Sequence, residues 1–166
     1  DPAHGAAELE ATRALVRETL SELRRSLAEL RADPALPDLS AALHRLADEI
    51  ATRSGMHLTL DIPSEEQPPP SIRTALLLIA REALINIERH AGARHASIHL
   101  KRIDAGWQLL ITDDGLGIQP DDLQKPGHFG IIGMRERAEA VGGRLHIEGA
   151  PQRGARITVW APETPV

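Results

Sequence analysis

The chain contains no cysteine and no tyrosine, one phenylalanine and two tryptophans. Without cysteine there is no disulfide framework and no thiolate zinc site, and a reducing compartment is permitted. With aromatics at 2%, surfaces on which nucleobases could stack are scarce. A basic face is lacking too. The formal charge is −5, and the positive charge is nearly all arginine, scattered along the chain. Nucleic acid is therefore not expected as a direct partner. No apolar run approaches the roughly 20 residues that cross a bilayer. The chain also opens on Asp1 with no initiator Met and no leader pattern, as expected of a piece cut from a longer protein. A membrane would be met only through upstream segments outside this sequence.

What is present is 166 residues with 42% hydrophobic content, enough for one domain with a helical appendage. Leu9, Val16, Leu20, Leu23, Leu27 and Leu30 recur at steps of mostly three and four, which predicts a bundle or coiled-coil helix over residues 6–31. Asp33, Pro34 and Pro37 end it. A second helix is expected from Asp38 as cap through Ser54, with Leu39, Leu43, Leu46 and Ile50 on one face and Gly55 as its stop. Met56 to Ile62 alternates like a strand, and Glu65 to Pro70 reads as a loop. Ser71 is expected to cap a long helix reaching Ala91. Strands at 96–103 and 107–112 follow, joined by a turn at Asp104, Ala105 and Gly106. A loop from Asp114 to Gly133 precedes a helix at 134–141 and two last strands, 144–149 and 156–161. The pattern is a helix pair, then α+β with antiparallel hairpins covered by helices on one face. A loop of that length inside a compact domain is often a functional lid.

Four clusters could carry chemistry. On the helix after Ser71, Glu82 and Asn86 stand four apart and project together, with Arg89 and His90 beyond them. A solvated polar face is the plain explanation; a carboxylate beside a carboxamide also suits a hard cation such as Mg²⁺. Next, the apolar run 109–111 leads into Asp113, Asp114, Gly115 and Gly117, for which a common Asp-Gly turn is the plain explanation. It is not a dinucleotide fingerprint, since Pro120 stands where the third glycine belongs, and no Walker loop occurs anywhere. Third, Gly127, Gly130 and Gly133 are spaced by three ahead of Met134, Arg135, Glu136 and Arg137, where a helix start could offer N–H groups to an anion. Fourth, Gly154-Ala155-Arg156-Ile157 puts a glycine at the entry of the last strand. His95 and His99 share one side of a strand and could chelate a metal, but no third ligand accompanies them.

Taken in order, these segments resemble the GHKL ATPase superfamily of gyrase, Hsp90, histidine kinases and MutL. Arg81-Glu82-Ala83-Leu84-x-Asn86-x-x-Arg89-His90-Ala91 is similar to its N box. Asp113-x-Gly115-x-Gly117, Gly127 to Met134, and Gly154-Ala155-Arg156-Ile157 are similar to its three glycine boxes. Met134-Arg135-Glu136-Arg137-Ala138 followed by Gly142-Gly143 resembles the nitrate-sensor and membrane-thermosensor histidine kinases. The segment Ser21 to Arg25 resembles the second helix of that subfamily's dimerisation and phosphotransfer domain.

The resemblance implies a two-layer α/β sandwich of the Bergerat type, with a mixed, mostly antiparallel sheet, over residues 34–166, and a truncated bundle helix over 1–33. It implies ATP and Mg²⁺ as cofactors. Asp113 would accept from the adenine amine, with Gly115 and Gly117 letting the backbone approach the base, and Ala155 would be a nucleotide-binding position of the third box. Asn86 would ligate Mg²⁺, and Glu82 would hold a water or act as general base. Arg89 and His90 would lie near the phosphates. His128, Gly130 and Gly133 would meet them from the second glycine box, the loop 117–133 closing as a lid. Implied partners are a response regulator, of helix-turn-helix transcription-factor type, and a second copy of the chain through the bundle helices, all on the cytoplasmic side. Two departures stand out. Ala155 replaces the threonine usual in the third box, and no His with an acidic neighbour occurs where the phosphoacceptor belongs; His4 lacks that context. A nucleotide-binding module without phosphoryl transfer, an anti-sigma-factor serine kinase and a plain scaffold are the other readings.

Overall fold

In the computed structural model, residues 38–63, 66–117 and 129–163 are described. The helix expected over 6–31, His4, His128 and most of the expected lid lie outside them.

Helix α1 spans Leu39–Ser54, and its ends follow from single residues. Asp38 is extended, and its Oδ1 accepts from Ala41 N at 3.2 Å, satisfying one of the free donors of the first turn. A second comes from far along the chain: Leu39 N donates to Gln67 Oε1 at 3.0 Å. At the other end Gly55 takes the left-handed conformation (φ 72°) and its N–H bonds the Ala51 carbonyl. The inward face is Leu39, Ala42, Leu43, Ala47 and Ile50.

Strand β1, His57–Asp61, leads through the Pro-rich loop to helix α2, Pro70–Asn86, which continues as a π-helical turn over Ile87–Ala91. Ser71 is not the cap. Pro69 stands at that position without a side-chain bond and Pro70 occupies the first turn, where a missing N–H costs nothing. Strands β2 (His95–Ile103) and β3 (Gly106–Asp113) form a hairpin closed by Asp104 and Ala105. Helix α3 runs Phe129–Ala140, five residues earlier than the sequence pattern suggested. Strands β4 (Arg144–Gly149) and β5 (Ala155–Pro162) complete the sheet, in the order β1-β2-β3-β5-β4.

Every neighbouring pair is antiparallel except β1 and β2, which run parallel, so the sheet is mixed. One face is apolar. Ile98, Leu100, Trp107, Leu109, Ile111, Val159 and Ala161 are buried with the inward residues of all three helices in one core. Each large side chain so buried contributes roughly 1.5–3 kcal/mol. The other face is polar, with His57, Thr59 and Asp61 exposed on β1 and Arg144, His146 and Glu148 on β4. The two-layer α/β sandwich is thus observed. No described helix is long and apolar enough to cross a membrane.

Candidate functional site

The loop after β3 is built around two adjacent aspartates with opposite environments. Asp113 is half-buried, and its carboxylate gathers two backbone donors: Gly115 N to Oδ1 at 2.8 Å and Ala155 N to Oδ2 at 3.2 Å. Burial raises its pKa above the ordinary 3.8, with those two hydrogen bonds opposing the shift. Asp114 points to β2. Its Oδ1 accepts from Arg94 N (2.8 Å) and His95 N (2.9 Å), and its Oδ2 lies 2.7 Å from His95 Nδ1. These donors pull its pKa down to about 2.

The two acids therefore act on stability with opposite sign. A raised folded-state pKa contributes stability below the unfolded value that is lost as pH rises, so ionised Asp113 is maintained at a cost. A depressed pKa contributes stability above the unfolded value of 3.8, lost as pH falls toward 2. Replacing Asp114 by Asn is expected to flatten the acid limb of a urea-stability profile between about pH 4 and pH 2 and to cost about 1 kcal/mol at neutral pH, a modest figure because the side chain is 45% exposed. An unchanged acid limb would show that the hydrogen bonds of Asp114 do not stabilise the fold.

Around this pair, backbone meets backbone at close range. Leu116 N donates to the Ala91 carbonyl at 2.8 Å, tying the loop to the end of the π turn. Gly154 N donates to Gly115 O at 2.9 Å and Gln152 N to Leu116 O at 2.8 Å, tying it to the entry of β5. Gly117 (φ 77°) and Gly154 (φ 71°) are left-handed, and a Cβ on either would run into backbone. The first and third glycine clusters therefore form one continuous surface with Asp113 between them.

The second surface is α2 against α3. Glu82, expected on a solvated face, is 6% exposed and the sole buried charged residue among those described. It is accommodated because Gly130 has no side chain. A Cβ there would collide with Glu82 Oε1 and lie 3.4 Å from Asn86 Nδ2, so both side chains converge on this glycine. Gly130 falls in the first turn of α3, where N–H groups lack intrahelical partners. Gly133 does not share that property. It stands one turn in, where an α-helix directs its N–H to the Phe129 carbonyl, so the expected donor pair reduces to Gly130. Arg89 and His90 are exposed at the π turn. Ala155 contributes its N–H to Asp113 rather than a side chain.

His95 and His99 do not form a metal pair. Each faces a different carboxylate, Asp114 and Asp61, and no group of three or more His, Asp or Glu that could hold a metal occurs among the described residues. Sequence reasoning missed three contributors: Asp114 as the anchor of the loop, the Ala91 carbonyl, and the Gly130 gap that buries Glu82. The Asp113-Asp114 doublet was the available signal for the first.

The chain is similar to known proteins. The family of histidine kinase-, DNA gyrase B- and HSP90-like ATPases matches residues 71–165, more than half the chain. Sensor histidine kinase YxjM of Bacillus subtilis is 35% identical over 150 residues, covering 89% of this chain and 36% of that protein. The nitrate/nitrite sensor protein NarX of Escherichia coli is 31% identical over 158 residues, 94% of this chain and 25% of that one. The chain thus spans well under half the length of these relatives. Among solved structures, the blue-light activated histidine kinase of Erythrobacter litoralis EL346 superposes with a TM-score of 0.72 at 19% identity, over 88% of this chain and 50% of the other.

Proposed function

The chain belongs to the family of histidine kinase-, DNA gyrase B- and HSP90-like ATPases and carries the ATP-binding domain of a sensor histidine kinase, and from that premise we propose how its residues hold Mg-ATP and present the γ-phosphoryl group. One observation carries the reading: a half-buried carboxylate, Asp113, is pinned by two backbone N–H groups where two glycine loops meet the end of the Glu82–His90 segment.

Each carboxylate oxygen has two lone pairs, so Asp113 can keep its backbone donors and still accept from the exocyclic amine of adenine. Guanine presents an oxygen there and would be repelled. At the other end, the side chains of Glu82 and Asn86 converge on Gly130, and their carboxylate and carboxamide oxygens are the hard ligands that suit Mg²⁺. When bound, the cation would offset the charge on the phosphate oxygens. The Gly130 N–H and the side chains of Arg89 and His90 would supply the remaining donors, with Glu82 placed to accept a proton. In the full-length protein the phosphoryl acceptor is a histidine outside this sequence. The phosphoryl then passes to an aspartate of a response regulator, of helix-turn-helix type, with residues 1–33 pairing two copies of the chain.

The metal assignment is tested by titrating the chain with a non-hydrolysable ATP analogue, with and without Mg²⁺. Mg²⁺ is expected to tighten wild-type binding by roughly tenfold, and Asn86→Ala to abolish that increment while leaving metal-free binding within about twofold. A full Mg²⁺ increment in Asn86→Ala would remove Asn86 from the ligand set.

A further inference from the structure

The five residues Ile87–Ala91 are wound as a π-helix, a form rare enough that it needs support from outside the helix. The change of winding begins at Ile87, whose N–H is shared between the Ala83 and Leu84 carbonyls. Because π winding turns the chain less per residue than α winding, the directions of Arg89 and His90 relative to Asn86 depend on whether this turn persists.

Beyond the apolar packing of Ile87 and Ala91 against the core, two hydrogen-bonded contacts tie the turn to neighbouring elements among the described residues. One is the Ala91 carbonyl, which accepts from Leu116 N. The other comes from α1. Arg53, in the last turn of that helix, donates Nε to Glu88 Oε1 at 2.6 Å and Nη2 to Glu88 Oε2 at 2.5 Å. This is a two-pronged guanidinium–carboxylate pair, which fixes orientation as well as distance. The Glu88 side chain is only 17% exposed against 58% for Arg53, so the carboxylate is the seated partner and the arginine its clamp. Arg53 also holds the Glu88 carboxyl below the usual carboxylate range, so the pair is ionised throughout the neutral range.

We propose that Arg53 and Glu88 are a positioning pair: through them α1 sets the π turn and with it the direction in which Arg89 and His90 face the phosphates. This rests on the reading of Asn86 to His90 as the phosphate end of the ATP site. Neither residue touches nucleotide. With its arginine largely exposed, the pair stabilises the whole fold only modestly, which leaves local geometry as the main property it controls. It also makes α1, the first described element of the chain, part of the site's support.

The test uses the 166-residue chain, with Glu88→Gln, Arg53→Ala, Arg53→Lys and the double variant Arg53→Ala/Glu88→Gln. Without nucleotide, amide hydrogen exchange over residues 86–92 is expected to speed up by about tenfold in every variant, with Tm within about 2 °C of wild type. Arg53→Lys is expected to behave like Arg53→Ala, because a single ammonium cannot make the fork. Affinity for the ATP analogue with Mg²⁺ is expected to fall about fivefold to tenfold while AMP affinity changes less than twofold, and the double variant to be no worse than either single one. Unchanged exchange over 86–92, equal losses for ATP and AMP, or additive losses in the double variant would each overturn the proposal. A wild-type chain that binds neither nucleotide would refute the ATP reading and the phosphate role together; the exchange data would still show separately whether the pair holds the turn.

Discussion

Asp113→Asn is expected to weaken binding of an ATP analogue by roughly 100-fold and to lower stability by about 1–2 kcal/mol. The two effects have one origin. Both oxygens of Asp113 already face a backbone donor, Gly115 N and Ala155 N. An asparagine keeps one acceptor oxygen and turns an NH₂ group toward the other N–H, which leaves a half-buried donor unsatisfied. The same loss of acceptors strips the adenine amine of its partner, and the new NH₂ can donate to the oxygen of guanine. Affinity for adenine analogues should therefore fall more than affinity for guanine analogues, and discrimination between the two with it. Calorimetry with both nucleotides, beside a thermal melt of each protein, checks the pair of effects. A variant that melts lower yet binds ATP with wild-type affinity would confine Asp113 to a structural role.

The largest expected loss of stability is at Gly154. This residue is left-handed (φ 71°), and a Cβ on it would run into the Asp113 carbonyl and lie 3.1 Å from Asp114 Cα. Those atoms are backbone, held by the hydrogen bonds of Asp114 to β2, and cannot swing aside as a side-chain tip would. Gly154→Ala therefore combines a left-handed alanine, roughly 1–2 kcal/mol, with overpacking of roughly 1–3 kcal/mol. A fall in Tm of roughly 10 °C is expected. Gly92 provides the control. It too is left-handed (φ 58°), but nothing lies within 4 Å of an added Cβ, so Gly92→Ala should incur the conformational term alone. Equal Tm shifts for the two variants would mean that the contact between the loops is slack.

Much of the fold was legible because it is written locally. Asp38 and Gly55 mark the ends of α1 by side-chain capping and left-handed geometry, both properties of single residues. The strand spans agree with their apolar alternation to within a residue or two. The parallel pairing of β1 with β2 was not legible, since register between strands separated by a whole helix is set by packing. The start of α3 was hidden for a different reason. Glycines at 130 and 133 carry poor helix propensity and read as loop, yet the close approach of α3 to Glu82 demands a residue without a side chain at 130. Propensity lost to packing there.

The site shows the same division. Glu82, Asn86, Asp113 and the glycines were placed by motif and spacing, and the structure brings Glu82, Asn86 and Gly130 together, and Asp113 with Gly115 and Ala155. The burial of Glu82 was missed because a polar stripe at helical spacing looks solvated unless the facing surface is known. The π turn was missed because Ile87 to Ala91 would suit either winding, and the long-range bond between Arg53 and Glu88 that supports it leaves no local trace.

The most direct test of the account is calorimetric titration of the chain with non-hydrolysable ATP and GTP analogues in the presence of Mg²⁺. Saturable binding of the adenine nucleotide, with the guanine analogue at least about tenfold weaker, is the result expected of a carboxylate reading an amine. No heat and no thermal shift with millimolar ATP analogue, or equal affinity for both nucleotides, would contradict it.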